Sequence, residues 1–450
     1  MNIKEIHRVY FIGIGGIGMS ALARYFHYIE KKVVGYDKTR TPLTEDLENL
    51  GIHIHYQDDV KQIEEEYIKK AGTLVVYTPA VPTTHSELQY FITHDFPVKK
   101  RSEILGLITK DTFAFAVAGT HGKTTTSCIL AHLLQTSSAS FNAFLGGISE
   151  DFESNFVFEG NEYSVVEADE FDRSFLRLFP NVACITSVDA DHLDIYNSAS
   201  DLLSAFDEFA KKVPSDGKLI VRKGLPIKGI TYGIDEEADY NITNLKISNG
   251  TYVFDIVGPF GTQKEIVFGK PGRHNLLNAL AAFAMAVEAG FSLKNLVEGL
   301  RTFKGVQRRF SYLVKNQEFI FIDDYAHHPT EINAIYDAVT EMHPKMTKLV
   351  VFQPHLFSRT KDFIEDFALA LARFDAILLL DIYPAREAAI PGVNSRWLLD
   401  KIDNPIKKLV RKEEIITEIQ SIKPNLLITL GAGDIGLEVP KIKKALAYAS

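Results

Sequence analysis

A glycine-rich loop between an apolar run and a helical pattern is the first stretch whose residue types could do chemistry. The apolar run 112–118 predicts a buried strand, and the periodicity of 128–134 predicts a helix. Such a loop binds phosphate through backbone N–H groups and the helix N-terminus, a lysine reaches the terminal phosphates, and a threonine hydroxyl can hold Mg²⁺. The nucleotide-binding residues predicted here are Gly119, Thr120, His121, Gly122, Lys123, Thr124 and Thr125.

The loop departs from the full nucleotide-binding pattern G-x-x-x-x-G-K-[ST], because Val117 stands where that pattern has its first glycine. The match is therefore to a shorter loop that begins at Gly119. The alternative is a plain glycine turn with a surface lysine. That alternative leaves three consecutive threonines at a helix start unexplained.

Two acidic clusters follow this loop. Glu167 and Asp169 lie two residues apart at the end of a strand pattern, so their side chains share a face. A second strand pattern, 182–188, is followed by further acids and His192. Carboxylate, imidazole and a loop threonine suit Mg²⁺ bound to a triphosphate, which predicts Thr124, Glu167 and His192 as metal ligands. Helix capping is the competing interpretation for Asp172, Asp189 and Asp194.

The N-terminus carries a second glycine turn between two strand patterns, 7–12 and 32–36. A helix after the turn and an acid after the second strand resemble a Rossmann-like unit, with pyrophosphate at the helix N-terminus and the acid near a ribose hydroxyl. The motif taken literally predicts NAD as the ligand. The extra glycine in the turn and the serine at the helix start would suit another diphosphate, such as that of UDP, equally well. The predicted residues are Gly13, Gly15, Gly16, Ile17, Gly18, Met19, Ser20 and Asp37.

Polar residues also mark the start of a later apolar helix. Asn275 and Asn278 are three residues apart on one helix face, where their amides could contact adenine, although Asn275 could equally be an N-cap. The guanidinium groups of Arg308 and Arg309 could form paired hydrogen bonds to a phosphate or carboxylate. The ordinary alternative is that both arginines are solvated at the surface.

After about residue 313 strands and helices alternate again, and four strand ends carry polar residues. Ligand sites in open α/β sheets lie at the carboxyl ends of strands. The candidate residues there are Tyr325, His327, His328 and Arg359.

Composition bounds the class of protein. The 450 residues suggest two to four domains, and 46% hydrophobic with 24% charged residues indicates a globular protein. No apolar run is long enough to span a membrane, the N-terminus lacks a secretory signal, and only Cys128 and Cys184 are present, which together predict a cytoplasmic location. The net charge of -9 argues against nucleic acid as a partner.

The predicted fold class is α/β with three domains. Residues 1–107 form a Rossmann-like domain, and 313–450 form a second Rossmann-like α/β domain. Residues 108–312 form a central domain of the P-loop ATPase type, to which short β-rich runs between 216 and 268 add a small antiparallel sheet.

The order of these motifs resembles the Mur ligases of bacterial peptidoglycan synthesis, and the likeness runs from residue 11 to about 434. The segments that carry it are 11–20, 119–126, 167–170, Asp191 with His192, 272–275, 308–310 and 324–329. The resemblance implies that the first domain binds a UDP-sugar, the central domain binds ATP and Mg²⁺, and the third domain closes over both. It favours UDP over NAD at the first glycine turn.

The branch that this chain resembles joins L-alanine to the lactyl carboxylate of UDP-N-acetylmuramate through an acyl phosphate. The resemblance implies that Lys123 steadies the migrating phosphoryl group and that Thr124, Glu167 and His192 hold magnesium. It assigns His274, Asn275, Asn278 and Arg309 to ATP, and Tyr325, His327, His328 and Arg359 to closure over the amino acid, phosphate or sugar. Lys123→Ala is expected to abolish phosphate release with the fold retained.

Two departures accompany the resemblance. Several sibling ligases use a carbamylated lysine as a metal bridge, whereas Lys211 and Lys212 fall late in the corresponding helix and receive no such role. Leu356 stands where the branch usually has an arginine, so Arg359 or Arg309 would carry more of the anchoring.

Three alternative functions remain open from the sequence. A sibling ligase attaches a recycled peptide to the same sugar nucleotide. A catalytically silent sensor of nucleotide and UDP-sugar is disfavoured by intact Lys123, Glu167 and His192. A nicotinamide dehydrogenase is disfavoured by the second phosphate loop.

Overall fold

The computed structural model describes residues 3–189, 196, 198–248, 250–385 and 387–447, without the side chains of 172, 199 and 447. The predicted residues Asp191, His192 and Asp194 lie outside this range. The strands are β1 (Arg8–Ile12), β2 (Lys32–Tyr36), β3 (His53–His55), β4 (Thr73–Tyr77), β5 (Val98–Lys100), β6 (Phe113–Ala118), β7 (Phe141–Ser149), β8 (Ser154–Phe158), β9 (Tyr163–Ala168), β10 (Val182–Ile185), β11 (Lys218–Arg222), β12 (Ile230–Ile234), β13 (Tyr240–Ser248), β14 (Thr251–Gly258), β15 (Gly261–Phe268), β16 (Ser311–Lys315), β17 (Ile320–Asp324), β18 (Lys348–Phe352), β19 (Ala376–Leu379), β20 (Lys407–Leu409) and β21 (Leu426–Leu430).

The α-helices follow the same chain order. They are α1 (Ile17–Tyr28), α2 (Pro42–Asn49), α3 (Ser86–Thr93), α4 (Arg101–Asp111), α5 (Lys123–Thr136), α6 (Ala199–Ala210), α7 (Arg273–Glu288), α8 (Leu293–Thr302), α9 (Pro329–Met342), α10 (Phe357–Asp362), α11 (Ile364–Ala372), α12 (Ser395–Lys401), α13 (Ile415–Ile422) and α14 (Val439–Ala447).

The first sheet is parallel throughout, in the order β3-β2-β1-β4-β5. Alternate residues of β1 enter two different cores: Val9 and Phe11 pack in one, and Tyr10 and Ile12 in the other. Burial on both faces explains why this strand is a continuous apolar run. The order also places the carboxyl ends of β1 and β2, with the first glycine turn and Asp37, at the same edge.

The second sheet has ten strands in the order β15-β14-β13-β12-β11-β10-β6-β9-β7-β8. β6 lies between β9 and β10 and pairs parallel with both, so the two acidic clusters follow its immediate neighbours. The short β-rich runs predicted to add a small antiparallel sheet to the central domain instead extend this sheet. β11 pairs parallel with β10, β12 with β11, and β13 with β12. Short β-rich runs in a sequence do not reveal which strands pair or in which direction.

The third sheet has the order β16-β17-β21-β18-β19-β20, with only the β16–β17 pairing antiparallel among its strands. The predicted α/β architecture is therefore confirmed. The sequence pattern predicts a helix over 361–374, and the structure has α11 there, preceded by the short α10 and separated from it at Phe363, with φ -114° and ψ 26°. The apolar periodicity does not mark this break.

The chain divides into two compact units. The first comprises 1–245, 253–268 and 277–304, and the second comprises 246–252, 269–276 and 305–450. Within the first unit, one hydrophobic core spans the first two sheets, where Tyr25 of α1 packs on Phe144 and Phe156. The boundary predicted at 107/108 falls inside α4.

Candidate active site

The loop from Gly119 to Gly122 joins β6 to α5. Both glycines have positive φ, 132° and 83° respectively. A Cβ at Gly119 would lie 2.0 Å from Oγ1 of Thr186, and one at Gly122 would lie 2.4 Å from Oδ1 of Asn278. Backbone conformation and lack of space therefore both require glycine at these two positions.

Residues after β10 brace this loop. Thr186 Oγ1 donates to the His121 carbonyl oxygen at 2.5 Å, and the His121 N–H donates to Ser187 Oγ at 2.8 Å. The Thr120 and Ser187 hydroxyls are 2.9 Å apart, and His121 Nε2 lies 3.3 Å from Asp189 Oδ2. Sequence reasoning gave Thr186 and Ser187 no role. Their signal was two adjacent hydroxyls near the end of the strand pattern 182–188, just before the second acidic cluster.

Lys123, the first residue of α5, has its ammonium group buried among oxygen atoms. Nζ donates to the Gly119 carbonyl oxygen at 2.5 Å and to the two carboxylate oxygens of Glu170 at 2.9 and 2.8 Å. Burial by itself would lower the pKa of Lys123, but the Glu170, Asp169 and Glu167 carboxylates outweigh it and raise that pKa. The lysine therefore carries its charge at neutral pH. The sequence singled out Glu167 and missed Glu170.

The predicted metal ligands Thr124 and Glu167 are brought together. Thr124 Oγ1 donates to Glu167 Oε2 at 3.1 Å, and the Gly146 N–H donates to Glu167 Oε1 at 2.5 Å. A hydroxyl and a carboxylate beside a phosphate loop are the hard oxygen donors that Mg²⁺ takes, so these two residues fit that ion. His192, the third predicted ligand, lies outside the described part of the chain. Thr125, the next residue of α5, is buried.

At the first glycine turn, Asp37 binds the turn itself. Gly15 N–H donates to Asp37 Oδ2 at 2.7 Å, and Thr39 N–H donates to Oδ1 at 3.1 Å. Gly13 has φ 84°, and a Cβ there would lie 2.6 Å from a methyl carbon of Thr78. The carboxylate predicted for a ribose hydroxyl thus holds the turn in shape, and Gly16 is the N-cap of α1.

The other predicted residues of this turn divide between surface and core. Ile17 is partly exposed, whereas Met19 and Ser20 are buried. Ser20 Oγ donates to the Ile17 carbonyl oxygen at 3.0 Å and accepts from Asn155 Nδ2 at 2.9 Å. Asn155 Nδ2 also donates to the Ile17 carbonyl oxygen at 2.6 Å. Asn155, which sequence reasoning missed, therefore braces the first turn of α1 from β8.

Arg101 is a second residue at this helix that the sequence did not assign. A Cβ at Gly18 would lie 2.7 Å from its Nη1 atom, and its Nη2 atom lies 3.7 Å from Asp169 Oδ2. Its guanidinium thus connects the first turn of α1 to the acidic segment after β9.

The residues predicted for adenine have separate environments. Asn275 Nδ2 donates to the Pro271 carbonyl oxygen at 2.6 Å, and the Asn278 side chain lies against Gly122 of the phosphate loop. Burial lowers the pKa of His274 to about 4, so its ring is neutral at pH 7. His274 borders a cleft of about 520 Å³, whose lining includes Tyr336, Asp337 and Arg373.

In the second unit, two arginines and a tyrosine cluster at the end of β17. The guanidinium carbons of Arg308 and Arg309 lie 5.2 and 5.1 Å from the centroid of the Tyr325 ring. Arg308 Nε also donates to Asp323 Oδ2 at 3.1 Å, and its Nη2 donates to the Gly431 carbonyl oxygen at 2.6 Å. The pair is therefore not a solvated basic dipeptide.

His327 belongs to an aromatic group with His355 and Tyr383. The His327 and His355 ring centroids are 6.0 Å apart, and Tyr383 stacks on His355 at 5.7 Å. Arg359 Nη1 donates to His355 Nδ1 at 3.4 Å, and Leu356 between them has φ 74°. Sequence reasoning marked the strand end that carries Tyr383 but gave this residue no role.

His328 has a structural position. It is the N-cap of α9, where its Nδ1 accepts from Thr330 N–H at 3.3 Å. Its side chain is buried, and the centroid of its ring lies 4.7 Å from that of the Phe363 ring. The hydrogen bond from Thr330 makes His328 a helix cap. The sequence pattern did not distinguish this role from the site role predicted for both His327 and His328.

Three domain families match the chain along its length: the Mur ligase family catalytic domain at residues 8–112, the Mur ligase middle domain at 117–286, and the Mur ligase glutamate ligase domain at 308–433. A UDP-N-acetylmuramate–L-alanine ligase of Flavobacterium psychrophilum is 56% identical over 446 residues, 99% of each chain. The chain belongs to the Mur ligase family. As a member it is an ATP-dependent ligase.

Other Mur ligases extend the comparison. The ligase of the same name from Parabacteroides distasonis is 46% identical, covering 99% of this chain and 98% of its own. Among solved structures, UDP-N-acetylmuramate-alanine ligase from Thermotoga maritima superposes with a TM-score of 0.84 at 29% identity, covering 98% and 100% of the two chains. A murein peptide ligase from Psychrobacter arcticus, at 21% identity and a TM-score of 0.71 over 98% of each chain, shares the fold.

Within the described ranges, no helix combines the length and the apolar character needed to cross a bilayer.

Proposed function

We propose that the chain joins L-alanine to the lactyl carboxylate of UDP-N-acetylmuramate, using ATP and releasing ADP and phosphate. Full-length identity of 56% to a ligase of that name supports the substrates. The observation that carries the proposed mechanism is the phosphate loop, where a charged Lys123 lies beside the Thr124–Glu167 pair. A cytoplasmic location belongs to the proposal, because ATP and sugar nucleotides are used there.

The chemistry requires activation of the acid, because direct attack of an amine on a carboxylate would have to expel oxide. A lactyl carboxylate oxygen attacks the γ-phosphorus of ATP, and ADP leaves. The alanine amine then attacks the carbonyl carbon of the acyl phosphate, the tetrahedral intermediate expels phosphate, and the amine loses a proton. The protein contributes by positioning the reactants and neutralising their charge.

The first unit supplies the phosphate chemistry in this proposal. Lys123 binds the β- and γ-phosphates and follows the phosphoryl group as it migrates. Thr124 and Glu167, with His192, hold Mg²⁺, which offsets phosphate charge when bound. The first glycine turn binds the pyrophosphate of the sugar nucleotide at the N-terminus of α1, held in shape by Asp37.

The second unit supplies residues to the amino acid and the leaving phosphate. Tyr325, His327 and Arg359 take these roles, and His355 with Tyr383 completes the aromatic surface around them. A guanidinium binds a carboxylate or phosphate through two parallel hydrogen bonds, which suits Arg359. Leu356 offers no such bond, so Arg359 carries the anchoring that a neighbouring arginine would otherwise share.

An isotope experiment tests the acyl-phosphate route. UDP-N-acetylmuramate labelled with heavy oxygen in the lactyl carboxylate should pass one labelled oxygen into the released phosphate, because that oxygen leaves with phosphorus. Mass spectrometry of the phosphate reads the result. Unlabelled phosphate, formed while the amide product accumulates, would contradict the mechanism.

The alternative in which a recycled peptide is the second substrate makes a different prediction. Under our proposal, L-alanine supports turnover and a murein tripeptide neither replaces it nor competes with it at similar concentration. Turnover with the tripeptide and none with L-alanine would favour the alternative.

A further inference from the structure

The ion pair between Lys123 and Glu170 has no part in the mechanism proposed above. Glu170 lies in the acidic segment directly after β9, and both of its carboxylate oxygens bind Lys123 Nζ. Its side chain is fully buried, at 0% exposure, against 17% for the lysine. The Tyr196 hydroxyl donates to the Glu170 carbonyl oxygen at 2.6 Å, which fixes the backbone beneath the carboxylate.

The hydrogen-bonding capacity of the lysine is used up by these contacts. An ammonium group has three N–H donors and no acceptor. In the structure, the three acceptors are the Gly119 carbonyl oxygen and the two Glu170 oxygens. A phosphate oxygen can therefore bind Lys123 only if at least one of these contacts is given up. The Glu170 carboxylate is negatively charged like a phosphate, so it is the contact that a phosphate would replace.

We infer that Glu170 is a positioning residue that holds the Lys123 ammonium group in place, and that nucleotide phosphates exchange with this carboxylate when they bind. The inference rests on the proposed function, because it takes the Lys123 loop as the nucleotide site. Glu170 therefore lowers nucleotide affinity and keeps the loop in shape between turnovers.

Neighbouring acids do not share this arrangement. Asp169 Oδ1 accepts from the Phe171 N–H at 3.1 Å, and its side chain is 40% exposed beside Arg101. Glu167 binds Thr124 and the Gly146 N–H. Both raise the local negative potential, but of these three carboxylates only Glu170 bonds to the ammonium.

The test measures the dissociation constant of ADP by calorimetry, with and without Mg²⁺, for the full chain and for Glu170→Gln. Removing a charged hydrogen-bonding competitor should tighten ADP binding by about tenfold. Asp169→Asn is the matched control, because it removes one charge from the same segment without touching Nζ. It should change the constant by less than about twofold.

A double-mutant cycle separates exchange from general repulsion. In a Lys123→Gln background, Glu170→Gln should leave ADP affinity unchanged, because the exchange acts through the lysine. Equal tightening in both backgrounds, or equal effects of Glu170→Gln and Asp169→Asn, would overturn the inference. So would unchanged or weaker ADP binding by Glu170→Gln.

Two further controls make the outcome readable. Far-UV circular dichroism checks that each variant is folded, and Glu170→Asp provides a variant that keeps the charge if Glu170→Gln does not fold. The shorter carboxylate should bind Nζ less well and tighten ADP binding in the same direction, and no change would overturn the inference. Failure of the parent chain to bind ADP at all would instead contradict the proposed function.

Discussion

At the scale of single residues, the buried Lys123–Glu170 pair changes what a lysine substitution does. Lys123→Ala would leave the Glu170 carboxylate buried without its cation. Removing one partner of a buried pair typically costs about 3–5 kcal/mol, so we expect this variant to lose stability as well as activity. The sequence alone predicted that its fold would be retained.

Lys123→Ala combined with Glu170→Gln is therefore the cleaner test of the catalytic role. We expect the double variant to recover most of the lost stability, measured by urea unfolding, while phosphate release from ATP stays at background. Substantial turnover by the folded double variant would contradict the role of Lys123.

Glu87 makes a prediction about pH. Its buried carboxylate accepts from the Tyr10 hydroxyl at 2.8 Å, and burial raises the pKa of Glu87 from 4.5 to about 7. Between these values the folded chain keeps a proton that the unfolded chain has released. Stability from this group is therefore full below pH 4.5 and is lost as pH rises towards 7, by about 3 kcal/mol in all.

Glu87→Gln should remove this dependence, because the amide oxygen still accepts from Tyr10 and does not titrate. The stability of the variant relative to the parent should rise by about 2–3 kcal/mol between about pH 5 and pH 8. Urea unfolding at several pH values measures the difference between the two chains, both of which keep the neighbouring titratable groups His55, His85 and Asp58. A constant difference across this range would show that Glu87 is ionised throughout.

At the scale of elements, Asn155 of β8 fixes the first turn of α1. Asn155→Ala removes the two hydrogen bonds to Ile17 and Ser20, and should destabilise the chain by about 1–3 kcal/mol. Because α1 is the proposed pyrophosphate helix, KM for UDP-N-acetylmuramate should rise several-fold while KM for ATP stays constant. Steady-state kinetics with each substrate varied in turn checks this.

Asn142→Ala provides the matched control for Asn155→Ala. Asn142 is also buried and hydrogen-bonded, on β7, but its bonds reach Gly160, Asn161 and Ser164 and not α1. It should lose stability without a selective rise in KM for the sugar nucleotide. Equal kinetic effects of the two substitutions would mean that Asn155 acts only through overall stability.

Strands were the elements that the sequence predicted best. The runs assigned to β1, β2 and β6 agree with the structure to within one residue, because fully buried parallel strands are apolar throughout. The pairing of β11 to β13 with the central sheet was missed, since register is set by tertiary packing. The break at Phe363 was missed because no proline or glycine in the sequence marks it.

Site residues were predictable by type, but their partners were not. Thr124 and Glu167 lie together, as a metal site formed by the loop threonine and the strand-end carboxylate would require. Asp37 binds the Gly15 N–H, and the Ser20 hydroxyl is taken by helix and β8 contacts. Which of several nearby carboxylates bonds to Lys123 depends on distances that a one-dimensional pattern does not contain.

At the scale of the whole molecule, the proposed roles divide between the two compact units. Both glycine turns and the Thr124–Glu167 pair belong to the first unit, and Tyr325, His327 and Arg359 belong to the second. The domain boundaries predicted from sequence remain predictions. The α/β fold and the membership of the Mur ligase family hold along nearly the full length of the chain.

The central claim is that ATP is used only when acid and amine are both present. Phosphate release, followed with the purified chain, should need ATP, UDP-N-acetylmuramate and L-alanine together, and omission of any one should reduce it to background. Release at the full rate without the sugar nucleotide or without L-alanine, or no release with all three, would contradict the account.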